Sequence, residues 1–218
     1  MNIAPYIDHT ILKPTTTAGD ITQLCAEAVA YGFAAVCVPP PYVQLAAQQL
    51  WGTPVRVATV IGFPFGYSTL TAKIAEATQA IADGAHELDV VHNITALKNG
   101  AWSYLAEEIA VLTNLIHTGG AHIKVIIESG ILTDEEITRC CEIYAPCNID
   151  FLKTSTGYAE VGATLHAVQL MHQHLPPNIA IKASGGIRNF AFARQLVAAG
   201  ATRLGCSASL QIVKESNE

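Results

Sequence analysis

The stretch Gly32-Phe33-Ala34-Ala35-Val36-Cys37-Val38-Pro39 decides the fold. Just before it, Ile21, Leu24, Cys25 and Ala28 recur at i, i+3, i+4 and i+7, which marks one face of an amphipathic helix. Gly32 stands where a helix of that phase ends on a left-handed residue. Residues 34–38 are then apolar throughout. A strand with no alternation is buried on both faces, as in a parallel sheet. Pro39, Pro40 and Pro41 stop it.

The same unit repeats outward from there. Gly84-Ala85, Gly120-Ala121 and Gly200-Ala201 each separate a helical pattern from an apolar run. Upstream, residues 6–10 read as a first short strand and residues 15–20 as a polar stretch of capping residues. Downstream, helices are expected over 42–50, 72–83, 104–117, 163–174 and 191–199. A further helix opens at the T-x-x-E box Thr133-Asp134-Glu135-Glu136, with Pro146 closing that region. Strands fall over 55–61, 87–91, 122–128, 150–153, 179–183 and 203–206, and Ser207-Ala208-Ser209 starts a last helix. Eight strands alternating with helices make an α/β chain, a (β/α)8 TIM barrel formed by one domain over residues 1–218. An open flavodoxin-like or Rossmann sheet is the alternative, and no G-x-G-x-x-G supports it.

Composition narrows the function. Half of the 218 residues are hydrophobic and 14% are charged, with a net charge of −6 and no basic run. That argues against a nucleic-acid groove. No apolar run reaches the roughly 18 residues of a membrane span, and residues 1–5 are no signal peptide. Six cysteines without a C-x-x-C pair read as reduced thiols of a cytoplasmic protein. The sequon Asn93-Ile94-Thr95 then carries no glycan.

Two of the seven lysines, Lys153 and Lys182, end buried runs. In a barrel the strand C-termini form the site, so Asp8, Asp89, Glu128, Lys153 and Lys182 converge on one mouth. Amine catalysis needs such a set. A free lysine has a pKa near 10.4, which leaves only about one in 2,500 neutral at pH 7. Burial and a neighbouring cation both lower that value, and two facing lysines supply the cation. Each residue also has a structural reading: the lysines as snorkelling ion-pair partners, Asp89 as a turn cap, Asp8 as a loop anchor. Lys124 and Glu128 share a strand face and are expected to pair with each other. Ser184-Gly185-Gly186 after the seventh strand and Gly205-Cys206-Ser207 after the eighth fit a phosphate site, or ordinary glycine turns. Arg188 is a surface residue or a cation beside that site. No G-x-S-x-G, H-E-x-x-H or P-loop is present. His9, His86, His92 and His122 lie near strands and are read as scattered core or rim histidines rather than metal ligands.

These residues resemble the deoxyribose-phosphate aldolases. The likeness rests on Ile7-Asp8-His9-Thr10 with Leu12-Lys13-Pro14, Val60-Ile61-Gly62-Phe63-Pro64, Glu87-Leu88-Asp89-Val90-Val91, Lys124-Val125-Ile126-Ile127-Glu128, Lys153-Thr154-Ser155-Thr156-Gly157, Lys182-Ala183-Ser184-Gly185-Gly186-Ile187-Arg188 and Gly205-Cys206-Ser207, in that order. It implies a class I aldolase, free of metal and cofactor, that reversibly cleaves 2-deoxy-D-ribose 5-phosphate into acetaldehyde and D-glyceraldehyde 3-phosphate during deoxyribonucleotide catabolism. A Schiff-base barrel acting on a different phosphorylated sugar is the alternative. By the resemblance, Lys153 is the Schiff-base nucleophile, Lys182 the cation that lowers its pKa, Asp89 the proton donor and acceptor, and Asp8 the supporting acid. Gly157, Gly185, Gly186 and Ser207 fall on the family's phosphate-binding positions. Its partners would be the phosphosugar and acetaldehyde, and a homodimer or higher homo-oligomer is expected. Three residues depart from the family pattern: Pro39 for a common asparagine, Cys206 for a common alanine, and Ala208 for a residue that often carries a hydroxyl. The tail Lys214-Glu215-Ser216-Asn217-Glu218 lacks the tyrosine that some members carry.

Overall fold

The computed structural model describes residues 1–217, so Glu218 of the quoted tail lies outside the described residues. Eight parallel strands close into a barrel in sequence order: β1 (Ile7–Thr10), β2 (Ala35–Val38), β3 (Arg56–Ile61), β4 (Glu87–Val91), β5 (His122–Ile126), β6 (Phe151–Lys153), β7 (Ala180–Ser184) and β8 (Arg203–Cys206). Closure of β8 onto β1 pairs Asp8 with Gly205 and removes both sheet edges. The (β/α)8 expectation is met, and the open-sheet alternative falls with that pairing.

Helices α1 (Ala18–Tyr31), α2 (Val43–Gln49), α3 (Leu70–Ala82), α4 (Ile94–Lys98), α5 (Trp102–Thr118), α6 (Asp134–Tyr144), α7 (Leu165–His174), α8 (Phe190–Ala198) and α9 (Ser209–Ser216) follow the strands. Side-chain caps fix the starts of α1, α3, α4, α6, α7 and α8. Thr17 with Asp20 and Thr133 with Glu136 form reciprocal capping boxes. The helix–glycine–strand joint is also present: Gly32 takes φ +68° at the end of α1, and Gly200 takes φ +117° just past α8. Helix α4 was not expected. It has five residues, too few for periodicity to reveal, and Asn93 of the sequon is its N-cap, accepting from the Ala96 amide.

Strand side chains alternate between two buried layers. The outward set includes Val36, Val57, Leu88, Val90, Ile123, Val125, Leu152, Ile181 and Leu204, all buried in the main core with the apolar faces of the helices. The inward set follows the register Val60↔Asp89↔Lys124↔Phe151 and Lys153↔Lys182↔Arg203. Residues paired across a sheet share a face, so one sector of the interior is charged. Beside it, Cys37, Ala58 and Val60 form a separate small apolar cluster, with Leu12 and Phe63 against it. Among the described residues no helix is long and apolar enough to cross a membrane.

Candidate active site

Seven charged side chains meet inside the barrel. Asp89, from the middle of β4, is their centre. Its Oδ2 accepts from Lys153 Nζ at 2.7 Å and from Lys182 Nζ at 2.6 Å, and its Oδ1 accepts from Lys124 Nζ at 2.8 Å. Asp8 of β1 accepts from Lys182 at 2.5 Å and from Arg203 at 2.6 Å. Glu87 lies 2.6 Å from Lys124 and accepts from Arg203 at 2.9 Å. Lys124 and Arg203 also flank the Phe151 ring, 5.8 and 5.3 Å from its centroid.

The sequence expectation is thus met for the convergence of Asp8, Asp89, Lys153 and Lys182. One expectation is corrected. Lys124 and Glu128 do not pair. Strand β5 ends at Ile126, and Glu128 turns into the left-handed region at φ +54°. The two-residue period therefore fails before Glu128, and its carboxylate swings to the loop after β6. There it accepts from the Thr156 hydroxyl and, at 3.3 Å, from the Thr156 amide. Lys124 joins Asp89 and Glu87 instead. Glu87 and Arg203 were missed altogether. The signal was present: Glu87 is two residues before Asp89 on one strand, and so on the same face.

The ordinary proton affinities of these groups are reset. Burial alone would raise the Asp8 pKa, but Lys182, Lys124 and Arg203 outweigh it and hold the carboxyl well below its usual range. Asp89 is likewise held low against its own burial by Lys124, Lys153 and Lys182. Burial pulls the lysines down, and the sums differ. For Lys182 the two carboxylates Asp8 and Asp89 more than reverse burial and push it up. Lys124 is also raised, by Asp89 and Glu87. Lys153 alone of the three is lowered: burial leads, Asp89 opposes it, and Lys182 adds to it. Charge counting among the groups bonded to one another leaves room for one neutral lysine. Four cations, Lys124, Lys153, Lys182 and Arg203, face three carboxylates, Asp8, Glu87 and Asp89. A neutral Lys153 balances the set.

Lys153 is also the lysine of this cluster that reaches the opening. It lies on a cavity of about 560 Å³ at the strand C-termini. Gly157, Gly185, Gly186, Ser207 and Arg188 line the same cavity, so the expected phosphate residues stand together beyond Lys153. The loops that carry them are stitched. Thr154 Oγ1 accepts from the Ser184 amide at 3.0 Å, and the Ala163 amide reaches the carbonyls of both Ser184 and Gly185 at 3.0 Å. A Cβ on Gly185, at φ +87°, would sit 3.0 Å from Gly162 Cα, which is why glycines fill this junction. Cys37 is fully buried, and burial pushes its thiol up to about 11. The four strand-adjacent histidines do not gather: His9 meets Ser209 and Glu27, His92 meets Tyr144, His122 meets Asp150, and His86 accepts from the Val57 amide.

Comparison with known proteins identifies the family. The family model described as DeoC/LacD family aldolase matches residues 3–214. The deoxyribose-phosphate aldolase of Bacillus cereus is 49% identical over 213 residues, covering 98% of this chain and 95% of that protein. That of Caldanaerobacter subterraneus is 45% identical over 216 residues, covering 99% and 94%. Among solved structures, a tetrameric deoxyribose phosphate aldolase from Aeropyrum pernix superposes with a TM-score of 0.93 at 30% identity, covering 99% of this chain and 91% of that one. A buried lysine cluster at the mouth of a closed barrel and a match along nearly the whole sequence lead to one conclusion: the chain belongs to the DeoC/LacD family of aldolases.

Proposed function

We propose that the protein is a class I deoxyribose-phosphate aldolase that reversibly cleaves 2-deoxy-D-ribose 5-phosphate into acetaldehyde and D-glyceraldehyde 3-phosphate. The observation that carries this reading is Lys153: a buried lysine, lowered in pKa, on the floor of a cavity whose far side is glycine- and serine-lined. A neutral amine is the form that adds to an aldehyde.

Lys153 Nζ adds to C1 of the open-chain sugar, and loss of water gives a protonated imine. The imine is an electron sink. Removal of the C3 hydroxyl proton lets the C2–C3 bond break, with its electron pair passing to C2 as an enamine. Glyceraldehyde 3-phosphate leaves. Protonation at C2 and addition of water to the imine then release acetaldehyde and the free lysine. Asp89 is held ionised and touches Lys153 directly, so it suits the proton transfers around C1, C2 and C3. Lys182 stays protonated beside it and supplies the cation that disfavours a charged Lys153. Asp8 holds Lys182 from its other side. Gly157, Gly185, Gly186 and Ser207 offer backbone N–H groups and a hydroxyl to the phosphate ahead of α9. Binding the phosphate at the far end fixes the sugar so that C1 meets Lys153.

The reading carries two further parts. The tetramer of the Aeropyrum pernix protein supports a homo-oligomer, and the six free cysteines suit a cytoplasmic, reducing setting. The test is turnover of 2-deoxyribose 5-phosphate followed as released glyceraldehyde 3-phosphate, with unphosphorylated deoxyribose alongside. Efficient cleavage of the first and weak cleavage of the second is the expected result. No product from the phosphorylated sugar refutes the assignment.

A further inference from the structure

Beneath the lysine pair lies a second charged layer to which the proposed chemistry gives no part. Arg203 opens β8 and pairs in register with Lys182, while Glu87 opens β4 two residues before Asp89. Two chains of contacts lead from this layer to Lys153. One runs Arg203–Asp8–Lys182–Asp89–Lys153, with steps of 2.6, 2.5, 2.6 and 2.7 Å. The other runs Glu87–Lys124–Asp89–Lys153, with steps of 2.6, 2.8 and 2.7 Å. Arg203 and Glu87 also bond each other, closing the two chains into a ring. Every member except Arg203 is almost wholly buried, so water screens these charges weakly.

We propose that Arg203 and Glu87 are positioning residues that set the proton affinity of Lys153 from a layer below, Arg203 favouring the neutral amine and Glu87 opposing it. The inference rests on Lys153 being the imine-forming lysine. Among the seven groups bonded to one another, leaving out Glu128, whose carboxylate is bonded to Thr156 instead, the fully charged cluster holds one excess cation, and the proton on Lys153 is the one whose loss restores balance. Removing Arg203 takes away the excess, so Lys153 keeps its proton. Removing Glu87 enlarges the excess, so Lys153 gives its proton up more readily. The groups that face Lys153 are Asp89 from β4, Lys182 from β7, Cys37 from β2 and Glu128 from the turn after β5. Those that face Glu87 are Lys124, Arg203 and Asp8, with Arg56 at 3.9 Å on the outside and His86 beside it. Beyond Glu87, Arg203 faces Asp8 and the Phe151 ring.

The experiment measures the initial rate at which cyanoborohydride traps acetaldehyde on Lys153, as a function of pH, in the parent protein, Arg203→Met, Arg203→Lys and Glu87→Gln. The midpoint of the profile moves up by about one pH unit in Arg203→Met and down by about one in Glu87→Gln, a roughly tenfold change in neutral Lys153 at fixed pH. Arg203→Lys restores the parental midpoint by restoring the charge. A merely structural role lowers the rate at every pH and leaves the midpoint in place, and that result overturns the inference, as do shifts of one sign in both charge-removing variants. Glu87→Gln keeps the shape of the site and alone decides the sign if Arg203→Met fails to fold. Absence of a Lys153 adduct in the parent protein overturns the assignment of Lys153 itself, which the variants do not enter.

Discussion

Gly162→Ala tests the junction between the two loops that the phosphate is proposed to touch. Gly162 is not held in the left-handed region, so alanine suits its backbone. Its surroundings do not. A Cβ there would lie 2.3 Å from the Gly185 carbonyl oxygen, 2.4 Å from its carbon and 2.9 Å from its Cα. Ordinary non-bonded contacts begin near 3.5 Å, so one backbone has to retreat by about 1 Å. The segment around Gly162 is tied at Ala163, whose amide bonds Ser184 and Gly185. The strain therefore falls on Gly185 and Gly186, while Lys153 and Asp89, inside the barrel, stay in place. A misplacement of that size costs about 100-fold in rate, or about 2.7 kcal/mol of transition-state stabilisation. The assay compares kcat/KM for 2-deoxyribose 5-phosphate and for deoxyribose in parent and variant, with the trapping rate of acetaldehyde alone as control. The variant loses about 100-fold with the phosphorylated sugar, chiefly in KM, and about tenfold less with the unphosphorylated one. Trapping of acetaldehyde is nearly unchanged. Equal losses with both sugars, or none with either, refute the placing of phosphate at this junction.

Lys182→Met removes the cation beside Lys153. Acetaldehyde trapping at neutral pH falls about tenfold or more and recovers as the pH is raised, because Lys153 then holds its proton to higher pH; a loss that is equal at every pH contradicts the electrostatic role. Stability falls in acid with a defined sign. The Asp8, Asp89 and Glu87 carboxyls are all held below their ordinary values of 3.8, 3.8 and 4.5, so their stabilisation is complete above those values and is lost as the pH falls below them. Urea unfolding followed from pH 7 to pH 3 shows this as a plateau followed by a decline, and a flat profile rejects it. Asp89→Asn leaves three buried lysines with one anion fewer, and costs about 3–5 kcal/mol of unfolding free energy in the same assay; a cost under about 1 kcal/mol means the network is not held together by that charge.

The barrel was legible because the strands bury both faces and several of the helices announce their ends. Residues 34–38 show no alternation because inward and outward layers are both dry, and Thr17, Thr133 and Gly32 mark where helices begin and stop. Lys153 and Lys182 stood out because a lysine ending an apolar run needs a partner. The deeper layer was harder to see. Glu87 and Arg203 begin their strands, where a charge on the surface is ordinary; Glu87 shares the face of Asp89 by its spacing, while Arg203 meets Asp8 only because β8 closes onto β1. Glu128 misled for a local reason. Strand periodicity counts residues and is blind to a left-handed backbone turn, and φ +54° at Glu128 ended the period early. Helix α4 was invisible to periodicity at five residues, although its cap Asn93 was in view.

The central claim is that Lys153 forms the imine. Incubation with acetaldehyde and borohydride, followed by intact mass measurement and peptide mapping, tests it most directly. The account predicts one ethyl group per chain, on Lys153, with Lys124 and Lys182 unmodified inside the barrel. An ethyl group on Lys182 with Lys153 left free, or a folded protein that takes no label, contradicts it.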